Sequence, residues 1–129
     1  MRVLIVEDDP HSQELLVMRL EAMGCEPLPA SGIDEAFDLA VARRPHMILL
    51  DLKLNEGTGS SGFEGVQLLG RLREHAETAE IPVVIHSIFV RHPAEAPAPI
   101  PRVDGFLFKP FKFDDLRELV DQHRPPADD

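Results

Sequence analysis

The chain has 129 residues, which at roughly 100 to 200 residues per domain leaves room for one domain and predicts no second catalytic or output domain. It carries 13 Lys and Arg against 23 Asp and Glu, a formal charge of −10, while 43% of residues are hydrophobic, as expected of a folded globule. A surface this acidic repels a nucleic-acid backbone and excludes unaided nucleic-acid binding, so a cation or a basic protein is the expected company. No apolar run approaches the roughly 18 residues of a membrane span, and the run from Met1 to Val6 meets Glu7 too early for a signal peptide. A cytoplasmic protein away from the membrane is expected. The single cysteine, Cys25, has no Cys or His neighbours at zinc spacing and reads as a small apolar filler.

Arg2 to Val6 is a short branched apolar run closed by Glu7-Asp8-Asp9-Pro10, the pattern of a strand buried on both faces in a parallel sheet. From His11 to Met23, Leu15, Leu16, Met18, Leu20 and Met23 recur at helical spacing, with Pro10 suited to the first turn and Gly24 to the stop. Glu26-Pro27-Leu28-Pro29 carries two prolines, each without a backbone donor, and predicts an edge strand. A second helix is expected from Ser31, a candidate N-cap, to Arg44 before Pro45, with Ile33, Ala36, Phe37, Ala40 and Val41 on one stripe.

Met47 to Leu50 is the clearest buried strand, and it delivers Asp51 to its C-terminal end. After a Gly/Ser-rich loop, Val66, Leu68, Leu69 and Leu72 mark a third helix, and Pro82 to Ser87 a fourth strand. Pro93, Pro97, Pro99 and Pro101 then exclude a full-length helix over 88–103, because an internal proline costs a helix about 3 kcal/mol. Gly105 to Phe108 reads as a fifth strand leading to Lys109-Pro110, and Phe113, Leu116, Leu119 and Val120 as a last helix stopped by Pro125-Pro126. The order is (βα)5 with its fourth helix disrupted, an α/β, doubly wound, five-stranded parallel sheet of flavodoxin-like type; the domain is expected over 1–124, with 125–129 a tail.

Right-handed crossovers put every C-terminal strand end on one rim, where Glu7, Asp8, Asp51, Ser87 and Lys109 converge. Three carboxylates held together oppose one another's ionisation, and a hard cation resolves the conflict. Mg²⁺ suits carboxylate, carbonyl and water ligands at an open rim. Lys109 then offers a point charge and Ser87 a hydroxyl for the oxygens of a phosphoryl group carried by Asp51, whose carboxylate is the nucleophile.

At these residues the chain resembles the receiver domains of two-component response regulators, over nearly its whole length. The acidic turn is Val6-Glu7-Asp8-Asp9-Pro10, the phosphoacceptor strand ends Leu49-Leu50-Asp51, the hydroxyl strand is Pro82 to Ser87, and the lysine strand runs Gly105 to Phe111. The resemblance implies a signalling phosphoacceptor, not an enzyme, that takes a phosphoryl group onto Asp51 from a histidine kinase or phosphotransfer protein and acts by binding a downstream protein. It implies Mg²⁺ held by Glu7, Asp8, Asp51 and the backbone carbonyl of Lys53, with Glu7 acting through water. It further implies Ser87 and Lys109 gripping the phosphoryl group, Phe106 as the switch residue, and a cis Lys109–Pro110 bond.

Several positions depart from that pattern. Leu54 and Asn55 stand where receivers usually carry Met-Pro, the loop after Asp51 is long, and Ile88 replaces the small residue that usually follows the hydroxyl. The prolines of 93–101 alter the surface through which most receivers signal. These departures define the alternative reading, a degenerate receiver that binds proteins without phosphorylation. A dehalogenase-like phosphatase would need a second Asp two residues after the nucleophile, where this chain has Lys53. Gly57-Thr58-Gly59-Ser60-Ser61-Gly62 spells a dinucleotide-binding pattern but does not join the first strand to its helix, and reads as a loop. His86 is expected to be a partly buried strand residue, and the other five histidines to lie at the surface.

Overall fold

A computed structural model describes residues 1–51, 64–87, 103–108 and 112–125. Its elements are β1 (Arg2–Val6), α1 (Pro10–Ala22), β2 (Glu26–Ala30), α2 (Ile33–Arg43), β3 (Met47–Leu50), α3 (Glu64–Glu74), β4 (Val83–Ser87), β5 (Gly105–Phe108) and α4 (Phe113–Gln122). All strand pairs are parallel, in the order β2-β1-β3-β4-β5, the doubly wound sheet expected. The disrupted helix expected over 88–103 falls on residues 88–102, outside the described ones, as do Lys53, Ile88, Lys109 and Pro110.

Strand alternation sorts the apolar side chains into two cores. Leu4, Val6, Ile48, Leu50, Val83 and Ile85 face Ala36 and Ala40 of α2 and Leu68, Leu69 and Leu72 of α3. Val3, Ile5, Met47, Leu49, Val84 and Leu107 face Leu16 and Leu20 of α1 and Leu116 and Val120 of α4. Because both faces are covered, β1 and β3 read as unbroken apolar runs instead of alternating ones. Cys25 is buried in the second core, as its filler role requires.

The edge position of β2 explains its prolines. The Glu26 amide donates to the Met1 carbonyl and the Ala30 carbonyl accepts from Glu7, so even-numbered residues of β2 face β1. Pro27 and Pro29 alternate with them, and their missing donors lie on the open edge. At β5, a Cβ on Gly105 would sit 3.2 Å from Leu119 Cδ2, so glycine lets α4 pack closely against the strand.

Two local expectations are corrected. Ser31 is not the N-cap of α2: Gly32 holds that position without a side-chain bond, and Glu35 reaches back to accept from the Ser31 amide at 3.0 Å. On α1, Leu16, Leu20 and Met23 are buried, but Leu15 and Met18 are 47% and 60% exposed, because the stripe through Leu16 and Leu20 fills the contact with the sheet. Beyond the C-terminal end of α2, Arg44 adopts a left-handed φ of 46°, and Arg2 donates to the carbonyls of Arg43 and Arg44 at 2.8 and 3.0 Å. The start of β1 is thereby tied to the exit of α2.

Candidate functional site

The site forms where β1 and β3 end. Their register pairs Val6 with Leu50, so the next residues, Glu7 and Asp51, emerge side by side at one rim. The Asp51 amide donates to the Val6 carbonyl at 3.0 Å, and the Glu7 amide to the Ala30 carbonyl at 3.1 Å, so both backbones are fixed by the sheet. Carboxylate oxygens of Glu7, Asp8 and Asp51 lie within 4.8 Å of one another, and among the described residues this trio is a group able to hold a metal ion. Glu7 is 2% and Asp51 9% exposed, while Asp8 is half-buried and opens the cluster to solvent.

The acidic turn divides its labour. Asp9 is the N-cap of α1, its Oδ2 accepting from the Ser12 amide at 3.1 Å and the Ser12 hydroxyl at 2.7 Å. The Ser12 hydroxyl first, then its amide, holds the Asp9 carboxyl below its usual range. Glu7 Oε1 accepts from the Asp9 amide at 3.1 Å, and the Glu7 carbonyl from Gln13 Nε2 at 3.1 Å. The cap therefore braces the site from α1.

Glu7 Oε2 lies 3.7 Å from Nδ1 of His86, which is fully buried in β4. This corrects the expectation of a partly buried strand histidine: Leu50 pairs with Ile85, which brings residue 86 beside residue 51. The signal was available in strand alternation, since Val84 faces the α1 and α4 core and residue 86 shares its face. Of the other histidines, His11 is exposed, whereas His46, His75 and His123 are half-buried and His92 lies outside the described residues.

Ser87 ends β4, paired with Phe108 at the end of β5, so its backbone reaches the same rim. Phe106, paired with Ile85, is half-buried against the core shared with α2 and α3. Lys53 and Lys109 lie outside the described residues. The trio offers hard oxygen donors with one open side, the donor chemistry that Mg²⁺ takes. Among the described residues, no helix is long and apolar enough to cross a membrane.

Known proteins agree with this architecture. The phosphate regulon transcriptional regulatory protein PhoB of Pseudomonas aeruginosa is 30% identical over 118 residues, 92% of this chain and 48% of PhoB. The chain thus spans about half the length of that relative. An uncharacterized 14.6 kDa protein of Leptolyngbya boryana is 28% identical over 95% of this chain and 89% of its own length. Among solved structures, the receiver domain of the sensor histidine kinase PA1611 of Pseudomonas aeruginosa, crystallised with magnesium in its active-site cleft, superposes with a TM-score of 0.78. It is 20% identical over 95% of each chain and shares the fold. Residues 3–121, from the first strand into the last helix, match the response regulator receiver domain. The chain therefore belongs to that family, the receiver domains of two-component signal transduction.

Proposed function

We propose that this receiver accepts a phosphoryl group on Asp51 from a histidine kinase or phosphotransfer protein and signals by binding another protein in the cytoplasm. The receiver domain occupies 1–124 in this reading, and 125–129 form a tail. The observation that carries it is the convergence of Glu7, Asp8 and Asp51 within 4.8 Å at the C-terminal rim. One carboxylate at a strand end is often a cap; three that share a rim support the reading of a cation site with a nucleophile in it.

Glu7, Asp8, Asp51 and the Lys53 carbonyl would hold Mg²⁺, which when bound neutralises charge developing on the transferring phosphoryl group. By the family resemblance Asp8 and Asp51 would be the direct ligands and Glu7 would act through water; Glu7 Oε1 accepts from the Asp9 amide and Oε2 lies 3.7 Å from His86 Nδ1. An Asp51 carboxylate oxygen attacks phosphorus, the bond from phosphorus to the donor breaks, and the donor leaves with that electron pair. The burial of Asp51 gives the nucleophile a fixed orientation. Ser87 and Lys109 would bind the phosphoryl oxygens, and Phe106 would report the modification to the surface.

Incubation with acetyl phosphate and Mg²⁺, followed by intact-mass analysis, tests the assignment. The wild type should gain one phosphoryl group, a gain that does not occur when Mg²⁺ is chelated before the donor is added and is absent from Asp51→Asn. Magnesium binding without any gain, from acetyl phosphate or from a kinase, would favour the phosphorylation-independent binding module.

A further inference from the structure

We propose that His86 is a positioning residue for Glu7 and, through it, for the cation at the acidic trio. The inference rests on the reading of that trio as a Mg²⁺ site. His86 follows Val83, Val84 and Ile85, all fully buried, at a position where strand alternation calls for an apolar side chain. An imidazole there costs free energy unless a polar neighbour compensates. Both ring nitrogens are closed off from solvent, and Nδ1 lies 3.7 Å from Glu7 Oε2, with the two side chains 0% and 2% exposed.

The contact faces a carboxylate whose other oxygen is already held by backbone, since Glu7 Oε1 accepts from the Asp9 amide at 3.1 Å. Glu7 is thus gripped from the α1 side through Oε1 and from the β4 side through Oε2. Asp8 and Asp51 push on it as like charges within 4.8 Å, and an imidazole bearing its proton on Nδ1 directs a donor dipole at it from the other side. The separation exceeds hydrogen-bond length, so the ring acts by dipole and by shape, fixing where Glu7 presents its oxygens to the cation and its waters. Partners of this kind set metal affinity without touching the metal, and their loss typically weakens binding roughly 10- to 100-fold.

The test is Mg²⁺ affinity in wild type, His86→Leu and His86→Asn. The chain contains no Trp or Tyr, so binding is followed by amide NMR shifts. Asparagine places an amide N–H near the position of Nδ1; leucine fills the space without a donor. His86→Leu should lose roughly 10- to 100-fold in affinity, and His86→Asn should keep most of it while both remain cooperatively folded. Wild-type affinity in His86→Leu would overturn the inference and leave the magnesium reading intact. Equal losses in the two variants would assign His86 a packing role and also overturn it. Should His86→Leu fail to fold, the ring ¹⁵N signals of His86 decide in the wild type: they should move on Mg²⁺ addition and in Glu7→Gln. Signals unmoved by either would refute the coupling, and a wild type that binds no Mg²⁺ would refute both readings.

Discussion

Replacing Asp51 with asparagine keeps its shape but removes one of three carboxylates whose oxygens lie within 4.8 Å. At that separation each pair of unit charges repels by about 0.9 kcal/mol in bulk water and about 3.5 kcal/mol at an effective dielectric of 20. The substitution removes two such pairs, those with Glu7 and Asp8. Asp8 is half-buried and screened, which favours the low end, and we expect the cation-free protein to gain about 1–2 kcal/mol. Urea unfolding in EDTA reads this as a higher midpoint with an unchanged slope. With Mg²⁺ at 100 times its Kd the wild type should gain about 2.7 kcal/mol by mass action, and Asp51→Asn, one ligand short, distinctly less. The order of stability should therefore narrow or invert between EDTA and saturating Mg²⁺. An Asp51→Asn protein no more stable than wild type in EDTA would refute the account of the trio as a site under electrostatic strain.

Two further outcomes follow from the frame around the site. Asp104 accepts from the Val83 amide at 2.9 Å and from Arg73 at 3.2 Å, the Asp104 and Arg73 side chains being 26% and 11% exposed, pinning the approach to β5 against β4. Asp104→Ala strands the Val83 donor and should cost about 1–3 kcal/mol in urea unfolding, whereas a loss below about 0.5 kcal/mol would mean that water satisfies the Val83 amide as well as Asp104 does. His46 Nδ1 accepts the Arg2 amide at 2.9 Å, a role only the neutral ring fills, and burial followed by the Arg2 charge holds its pKa below the usual value. The unfolded chain then binds a proton that the folded one refuses, so stability should fall as pH drops below about 6.5 towards the folded pKa, and His46→Asn should lose less between about pH 7.5 and 5.5.

What could be read from the chain, and what could not, divides along the distance over which each signal acts. Val3 to Val6 and Met47 to Leu50 declare themselves because a strand covered on both faces must be apolar at every position, a constraint written in consecutive residues. Pro27 and Pro29 declare the edge because each lacks a donor that an inner strand would need. Glu7, Asp8 and Asp51 are legible for the same reason, since parallel strands of known direction put their C-terminal ends on one rim. Leu15 and Met18 misled because helical spacing admits more apolar positions than one stripe can bury, and only the packed sheet selects Leu16 and Leu20. Ser31 misled because its competitor for the cap, Gly32, exerts its claim through backbone geometry alone.

His86 is the instructive case, because alternation along β4 fixes its face while nothing in the sequence fixes the register of β4 against β3. Once Leu50 pairs with Ile85, residue 86 must lie next to residue 51, and the face it shares with Val84 is the face on which Glu7 ends β1. A shift of one residue would have carried the imidazole to the other face, towards α2 and α3, and an apolar side chain beneath the acids. The histidine becomes part of the site only through a pairing between strands more than thirty residues apart in sequence. That is why motif spacing finds the three carboxylates and passes over the group that steadies one of them.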